Sequence, residues 1–229
     1  MGKTSSENTR SGGFPPASWY DPDCRLCKRL ACFLDTTSAE FPDYFCRPVP
    51  SFGDPNARLL IVGLAPGKHG ANATGRPFTG DHAGRLLYKT LHRYGLSSAA
   101  QSVDIEDGLR LFDCRITNVV KCLPPANKPV AAEVHNCLQF LQPELSSVPR
   151  GGVILALGKL AHDAVVRVFG LIPSRVRFKH GERYEMPGAR TLISSYHCSR
   201  YNTQTRRLTE PMFRSVVRRA KALSGAVTR

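Results

Sequence analysis

The chain has 229 residues, 41% of them hydrophobic, with a formal net charge of +14 and a pI near 9.8. That length suits one α/β domain with a sizeable core, and the lack of any run of eighteen apolar residues argues against a membrane span. The positive balance favours a polyanionic partner, nucleic acid first, over its bland alternative of a solvated basic helix and tail. In chain order, the opening MGKTSSENTRSGGFPPAS has no apolar signal core, which argues against secretion. Its Gly, Ser and Pro content predicts a disordered polar tail over 1–20. Four β-rich apolar runs follow, at 58–65 (RLLIVGLA), 114–120 (CRITNVV), 153–158 (VILALG) and 191–196 (TLISSY). Between them the spacing predicts helices over 84–95, 130–145 and 159–170. A last helix is predicted over 209–223, with Thr209 as N-cap, Glu210 in the first turn and Pro211 near the start. Residues 224–229 are expected to be flexible. Unbroken apolar strands alternating with helices predict a single domain over 21–223, built as a three-layer α/β/α sandwich with a parallel sheet. In such sheets the site lies beyond the carboxyl ends of the strands.

Those ends carry the unusual residues. The first run leads into GLAPGKHGANATGRPFTGD (63–81), the second into Asn118 and Cys122, the third into Gly158, and the fourth into YHCSRYNTQTRRLT (196–209). The last thirty residues hold eight Arg or Lys against Glu210 alone, so half of the excess charge lies there.

Eight cysteines in such a chain point to reduced thiols rather than disulfides. Cys24 and Cys27 form C-x2-C, and Cys122 and Cys137 form C-x14-C across a proline turn. Four thiolates can bind zinc or an iron–sulfur cluster. The wide second pair leans towards a cluster, Cys32 could replace either member of the first pair, and buried free thiols are the alternative.

The stretches GLAPGKHGANATGRPFTGD, ITNVVKCLPPANKP and HCSRYNTQTRRLTEPM together resemble the uracil-DNA glycosylase superfamily, and within it the iron–sulfur type B branch, family 5. The resemblance runs from about Asp21 to Ala222. It implies a central four-stranded parallel sheet with flanking helices, a [4Fe–4S] cluster on four cysteines, and excision of uracil and other deaminated bases (hypoxanthine, xanthine) from DNA, leaving an abasic site. Two positions depart from the family pattern. Cys198 stands where the family usually reads Pro, which leaves the loop freer in φ, and Gly67-Lys68 stands where small residues are usual.

Glycosidic cleavage needs a flipped base held in a pocket. By the resemblance Phe78 supplies the stacking surface. Asn118 has an amide that can read the Watson–Crick edge, and a polar side chain in an apolar strand is otherwise costly. His197 is expected to donate to the base carbonyl and stabilise charge on the departing base. The stretch GLAPG lacks the acid or amide that other branches use to position water. The resemblance therefore points to Asp81 as its substitute, with Asn72 a second candidate; Asp81 also stands where Asp is a preferred N-cap. Gly63 and Ala65 complete the expected substrate pocket. The glycine-rich 63–67 backbone, Gly158 at the opening of a helix, and the Ser199–Asn202 turn are expected at phosphates. Arg200, Arg206 and Arg207 are expected to grip DNA, with Leu208 as the wedge that fills the gap left by the base. Leu208 as an ordinary hydrophobic staple is the alternative.

Other readings remain: a type A iron–sulfur glycosylase narrow for uracil, an iron–sulfur electron-transfer enzyme, or a non-catalytic iron–sulfur DNA-binding module. No Gly-x-Gly-x-x-Gly fingerprint supports the second of these. A monomer in the cytoplasm, at a bacterial or archaeal nucleoid, is expected.

Overall fold

The computed structural model describes residues 16–227. The strands are β1 (Phe52–Gly53), β2 (Leu59–Gly63), β3 (Cys114–Asn118), β4 (Val153–Leu157), β5 (Arg183–Met186) and β6 (Arg190–Ser195). The α-helices are α1 (Lys28–Glu40), α2 (Ala71–Thr74), α3 (His82–Arg93), α4 (Ala131–Ser146), α5 (Lys159–Val168), α6 (Arg200–Gln204) and α7 (Glu210–Ser224). All six strands join one sheet in the order β1-β3-β2-β4-β6-β5. The four apolar runs are its inner strands, paired parallel. The sheet therefore has six strands, not four. The extra two, β1 and β5, pair antiparallel at the edges. One is only two residues long and the other reads Arg-Tyr-Glu-Met, so neither shows an apolar run.

Every residue of β2, β3 and β4 is buried. Leu59 and Ile61 pack with Leu87 and Leu91 of α3 and Phe213 and Val217 of α7. Leu60 and Val62 face the other way, into a cluster with Leu141 of α4, Val165 of α5 and Leu30 and Leu34 of α1. The period of two along a strand thus feeds two cores, and both faces must be apolar. Each fully buried side chain of this kind contributes about 1.5–3 kcal/mol.

Helix α1 has no counterpart in the sequence expectations. It lies against α4 through a two-pronged contact, Arg29 Nε and Nη2 each donating at 2.7 Å to one oxygen of Glu133. The folded chain also starts earlier than expected. Trp19 and Tyr20 are buried, and the buried Arg115 guanidinium stacks on Trp19 at 4.1 Å. The expected tail is thus too long by Trp19 and Tyr20; 16–18 are exposed, and 1–15 lie outside the described residues. The carboxyl end differs in the same way. Gly225, at φ 63°, ends α7, Arg58 Nε donates to Ser224 O at 2.5 Å, and Val227 N to Asp113 Oδ2 at 3.0 Å. Ser224 and Ala226 are buried while Gly225 and Val227 are exposed, and 228–229 lie outside the described residues.

Register brings the strand ends together. Gly63 pairs with Asn118, and Leu157 with Ser195. The chain leaves all four inner strands along one edge, towards the unusual residues.

Candidate active site and cysteine cavity

A cavity of about 480 Å³ opens at that edge. Its lining includes Ala65, Gly67, Phe78, Asp81, His82, Asn118, Asn127, Gly158, His197, Ser199 and Arg200. Four stretches far apart in sequence, one at the end of each inner strand, therefore meet at one place.

Phe78 stands with φ at +60°, in the left-handed region that a bulky side chain rarely adopts. Its ring stacks on His197, centroids 5.9 Å apart and planes at 26°. Gly63 lies beneath it. A Cβ there would come within 2.7 Å of the Phe78 ring and 2.4 Å of Asn118 Oδ1, so the end of β2 must be glycine. Asn118 is 3% exposed, and its Oδ1 has no hydrogen-bond partner. A buried acceptor left open costs about 1–3 kcal/mol, and one that lines a cavity is available to a ligand.

Asp81 does not cap α3, because its side chain accepts nothing from the helix's first turn. It turns back instead on the 67–71 loop. Ala71 N donates to Oδ2 at 3.4 Å, and the Gly67 backbone lies close to the carboxylate. A Cβ on Gly67 or Gly70 would lie 2.4 or 2.0 Å from Oδ1. These two glycines make the slot that receives the carboxylate. The acid missing from GLAPG is thus delivered to that loop from ten residues downstream. Burial raises the Asp81 pKa, opposed by these two backbone contacts.

His197 follows β6 on the fourth strand end. Burial pushes its pKa down to about 4, so the imidazole is neutral near pH 7 and keeps one N–H to donate. Asn202 Nδ2 donates to His197 O at 2.8 Å and fixes the backbone there. Cys198 is fully buried and its thiol is pushed up to about 12 by burial. Ser199 caps α6, its Oγ accepting from Asn202 N at 3.4 Å.

Some expectations need correction. Asn72 does not line the cavity. It is fully buried and its Nδ2 donates to Cys46 Sγ at 3.4 Å, because α2 turns its side chain towards the 45–46 turn. Leu208 is fully buried in the core that holds Phe213. It precedes the Thr209 cap of α7, which is the place of a hydrophobic staple, and it has no exposed surface to wedge into DNA. The N–H of Gly158 is not free either, since it donates to Ser195 O at 2.8 Å; the turn that follows it opens α5 at the cavity wall. Arg206 and Arg207 are exposed but do not line the cavity, and Arg207 stacks on Tyr196 at 4.7 Å.

Three participants were not singled out from the sequence. His82 lines the cavity and its Nε2 pairs with Thr203 Oγ1 at 3.2 Å, joining α3 to α6. Asn127, at φ +56°, brings the proline turn to the cavity; Asn after Pro-Pro-Ala is a recognisable turn residue. Tyr201, the second residue of α6, lies outside the cavity lining and is 70% exposed.

Away from this cavity, Cys24, Cys27, Cys122 and Cys137 line one small hollow with Leu26, Ala31, Asn136 and Phe140. All four are free thiols. Asn136 Nδ2 approaches Cys27 Sγ at 3.4 Å, and the Lys121 backbone lies close to Cys137. Burial pushes the Cys137 thiol up to about 11 and raises that of Cys122 as well. Among the described residues no three His, Cys, Asp or Glu side chains are grouped as a single-ion site. The donor set, four sulfurs with an amide N–H turned towards that of Cys27, fits an iron–sulfur group.

Residues 50–221 match the model of the uracil DNA glycosylase superfamily, and the chain belongs to that superfamily. It is 47% identical over 207 residues to the type-5 uracil-DNA glycosylase of Thermus thermophilus, covering 88% of this chain and 94% of that protein. The type-5 uracil-DNA glycosylase of Pyrobaculum aerophilum is 42% identical over 222 residues, 93% and 96% of the two chains. A type-4 uracil-DNA glycosylase of Archaeoglobus fulgidus is 33% identical over 174 residues, 73% and 79% of the two chains. Among the described residues no helix is long and apolar enough to cross a membrane.

Proposed function

We propose that this protein is a uracil-DNA glycosylase of the type-5 kind, a DNA-repair hydrolase that cleaves the bond between a deaminated base and its deoxyribose. The observation that carries the reading is the buried, unpartnered Asn118 Oδ1 at the mouth of β3, with Phe78 and His197 in the same cavity. A flipped base stacks against Phe78 and gives its edge to Asn118. His197, neutral and holding one N–H, donates to a base carbonyl oxygen. As the glycosidic bond breaks, its electron pair leaves with the base and the N–H meets the developing charge. Asp81 accepts a hydrogen bond from water and aims it at C1′ of the cationic sugar. Water supplies the hydroxyl at C1′, the base leaves protonated, and an abasic site remains. A carboxyl raised by burial is better matched to taking a proton near neutral pH than an ordinary one. Asp81→Asn keeps the shape and removes the charge. Single-turnover excision should then fall by roughly 10²–10⁴; an unchanged rate in a folded variant would reduce Asp81 to a loop brace.

Hypoxanthine and xanthine are proposed as further substrates. A cavity of about 480 Å³ whose lining includes the small residues Ala65 and Gly67 supports room for a purine. Oligonucleotides carrying each base, assayed side by side, test this.

Cys24, Cys27, Cys122 and Cys137 would hold a [4Fe–4S] cluster, which joins the start of α1 to the 122–137 loop when bound. Purified protein should be brown and carry iron and acid-labile sulfide; colourless protein with stoichiometric zinc would count against it. In place of Leu208, Tyr201 is the side chain exposed enough to enter the duplex, next to Arg200 at the cavity lip. The backbone before Gly67 and the first turn of α5 remain the proposed phosphate contacts. The protein acts as a monomer in the cytoplasm, at the nucleoid.

A further inference from the structure

The left-handed backbone of Phe78 is held in place by its neighbours on both sides. Two residues before it, Arg76 is 4% exposed. Its Nη1 donates to Asp107 Oδ1 at 2.7 Å and to Ser102 Oγ at 3.0 Å, and its Nη2 to Ile105 O at 2.8 Å. Its guanidinium also stacks on Phe52 at 4.5 Å. One residue before it, Pro77 O accepts from the buried Tyr88 hydroxyl at 2.8 Å. One residue after it, Thr79 Oγ1 pairs with Ser102 Oγ at 2.6 Å. Phe78 O itself sits against Gly84, where a Cβ would come within 1.7 Å.

The anchor on the far side is a loop with little core of its own. Val103 and Ile105 are 63% and 59% exposed. Asp107 organises it by accepting from Val103 N at 2.8 Å and Leu109 N at 2.9 Å as well as from Arg76. A left-handed non-glycine residue is strained and persists only where its surroundings over-determine it. None of these loop residues lines the cavity.

We infer that the 102–107 loop is a brace for catalysis: Asp107, acting through Arg76, and Ser102, acting through Thr79, are positioning residues that hold the Phe78 ring in its base-stacking place. This rests on the proposed stacking role of Phe78, and it makes a surface loop outside the cavity a determinant of the chemical step.

A double-mutant cycle tests it. Single-turnover excision of uracil from duplex DNA is measured for wild type, Phe78→Ala, Asp107→Ala and the pair. Asp107→Ala is expected to slow excision by about 10- to 100-fold, the scale of a small misplacement near the reacting atoms. In the Phe78→Ala background the same change is expected to add almost nothing, because the side chain it positions is gone. Equal fold losses in both backgrounds would overturn the brace while leaving the stack intact. An unslowed, folded Asp107→Ala protein would overturn it as well. Full activity of Phe78→Ala alone would remove the stacking role, and the brace with it. Should Asp107→Ala not fold, Asp107→Asn and Ser102→Ala carry the same cycle, each removing less, with thermal melting as the check on integrity.

Discussion

His197 and Asp81 sit in the same cavity and are shifted by the same cause, burial, with different consequences. For His197 the folded-state pKa of about 4 lies below the ordinary histidine value of 6.5. Protonation therefore favours the unfolded chain. The stability this histidine contributes is fully present above about pH 6.5 and is lost as pH falls towards 4. Thermal melts should show that acid loss, and His197→Asn should reduce it; melts with the same pH dependence in both proteins would show that the ring titrates freely. Excision should show no inflection at the ordinary histidine value. The acid limb should belong to Asp81, whose pKa is raised, and lie above the ordinary carboxylate range. The meeting of Phe78, Asn118, His197 and Asp81 in one cavity was legible because strand ends and motif put unusual residues at the carboxyl edge. Asn72 misled because it lies within the same motif, yet a four-residue helix turns its side chain away. Nothing in sequence spacing reports that rotation.

At the scale of elements, legibility followed burial. The inner strands were readable because both faces are apolar, and the following helices because their faces repeat. Edge strands β1 and β5 were not readable, since pairing rather than an apolar run holds them; helix α1 carries only a short apolar face, Leu30, Ala31 and Leu34, to which a cross-helix ion pair adds a second tie. That ion pair is testable. Burial alone would raise the Glu133 carboxyl, but Arg29 and the Val130 N–H hold it below its ordinary range. Arg29→Ala should loosen α1 from α4, and with it Cys24 and Cys27 from Cys122 and Cys137. Iron of the proposed cluster should then be lost to chelator faster than from wild type; equal loss would mean that the thiols alone hold α1. Helix α6 and the turn after it separate two roles that the sequence merged. Leu208→Ala should cost about 2–5 kcal/mol of stability as a core truncation, with the ratio of duplex to single-strand excision kept. Tyr201→Ala should leave the melting temperature alone and slow excision from duplex more than from single strands, where little unstacking is needed. Equal slowing on both substrates would leave the exposed ring without a part in opening DNA.

For the molecule as a whole, the net charge of +14 sets how it meets DNA. Arg206 and Arg207 lie just past the cavity-side helix α6, and both are exposed. Changing both to Ala should weaken binding to any sequence and lower the slope of log K against log salt by about 2, near one per phosphate contact. An unchanged slope would show Arg207 as a stacking partner of Tyr196 only and Arg206 as a turn residue. The carboxyl end, by contrast, is stitched to the starts of β2 and β3 through Arg58 and Asp113, at the edge of the sheet opposite the cavity. A flexible tether joined after Val227 therefore starts from the back of the molecule. Enzyme fixed to a bead or chip by that end would present its open face outward, so a surface-bound form should scan long DNA as freely as the protein in solution.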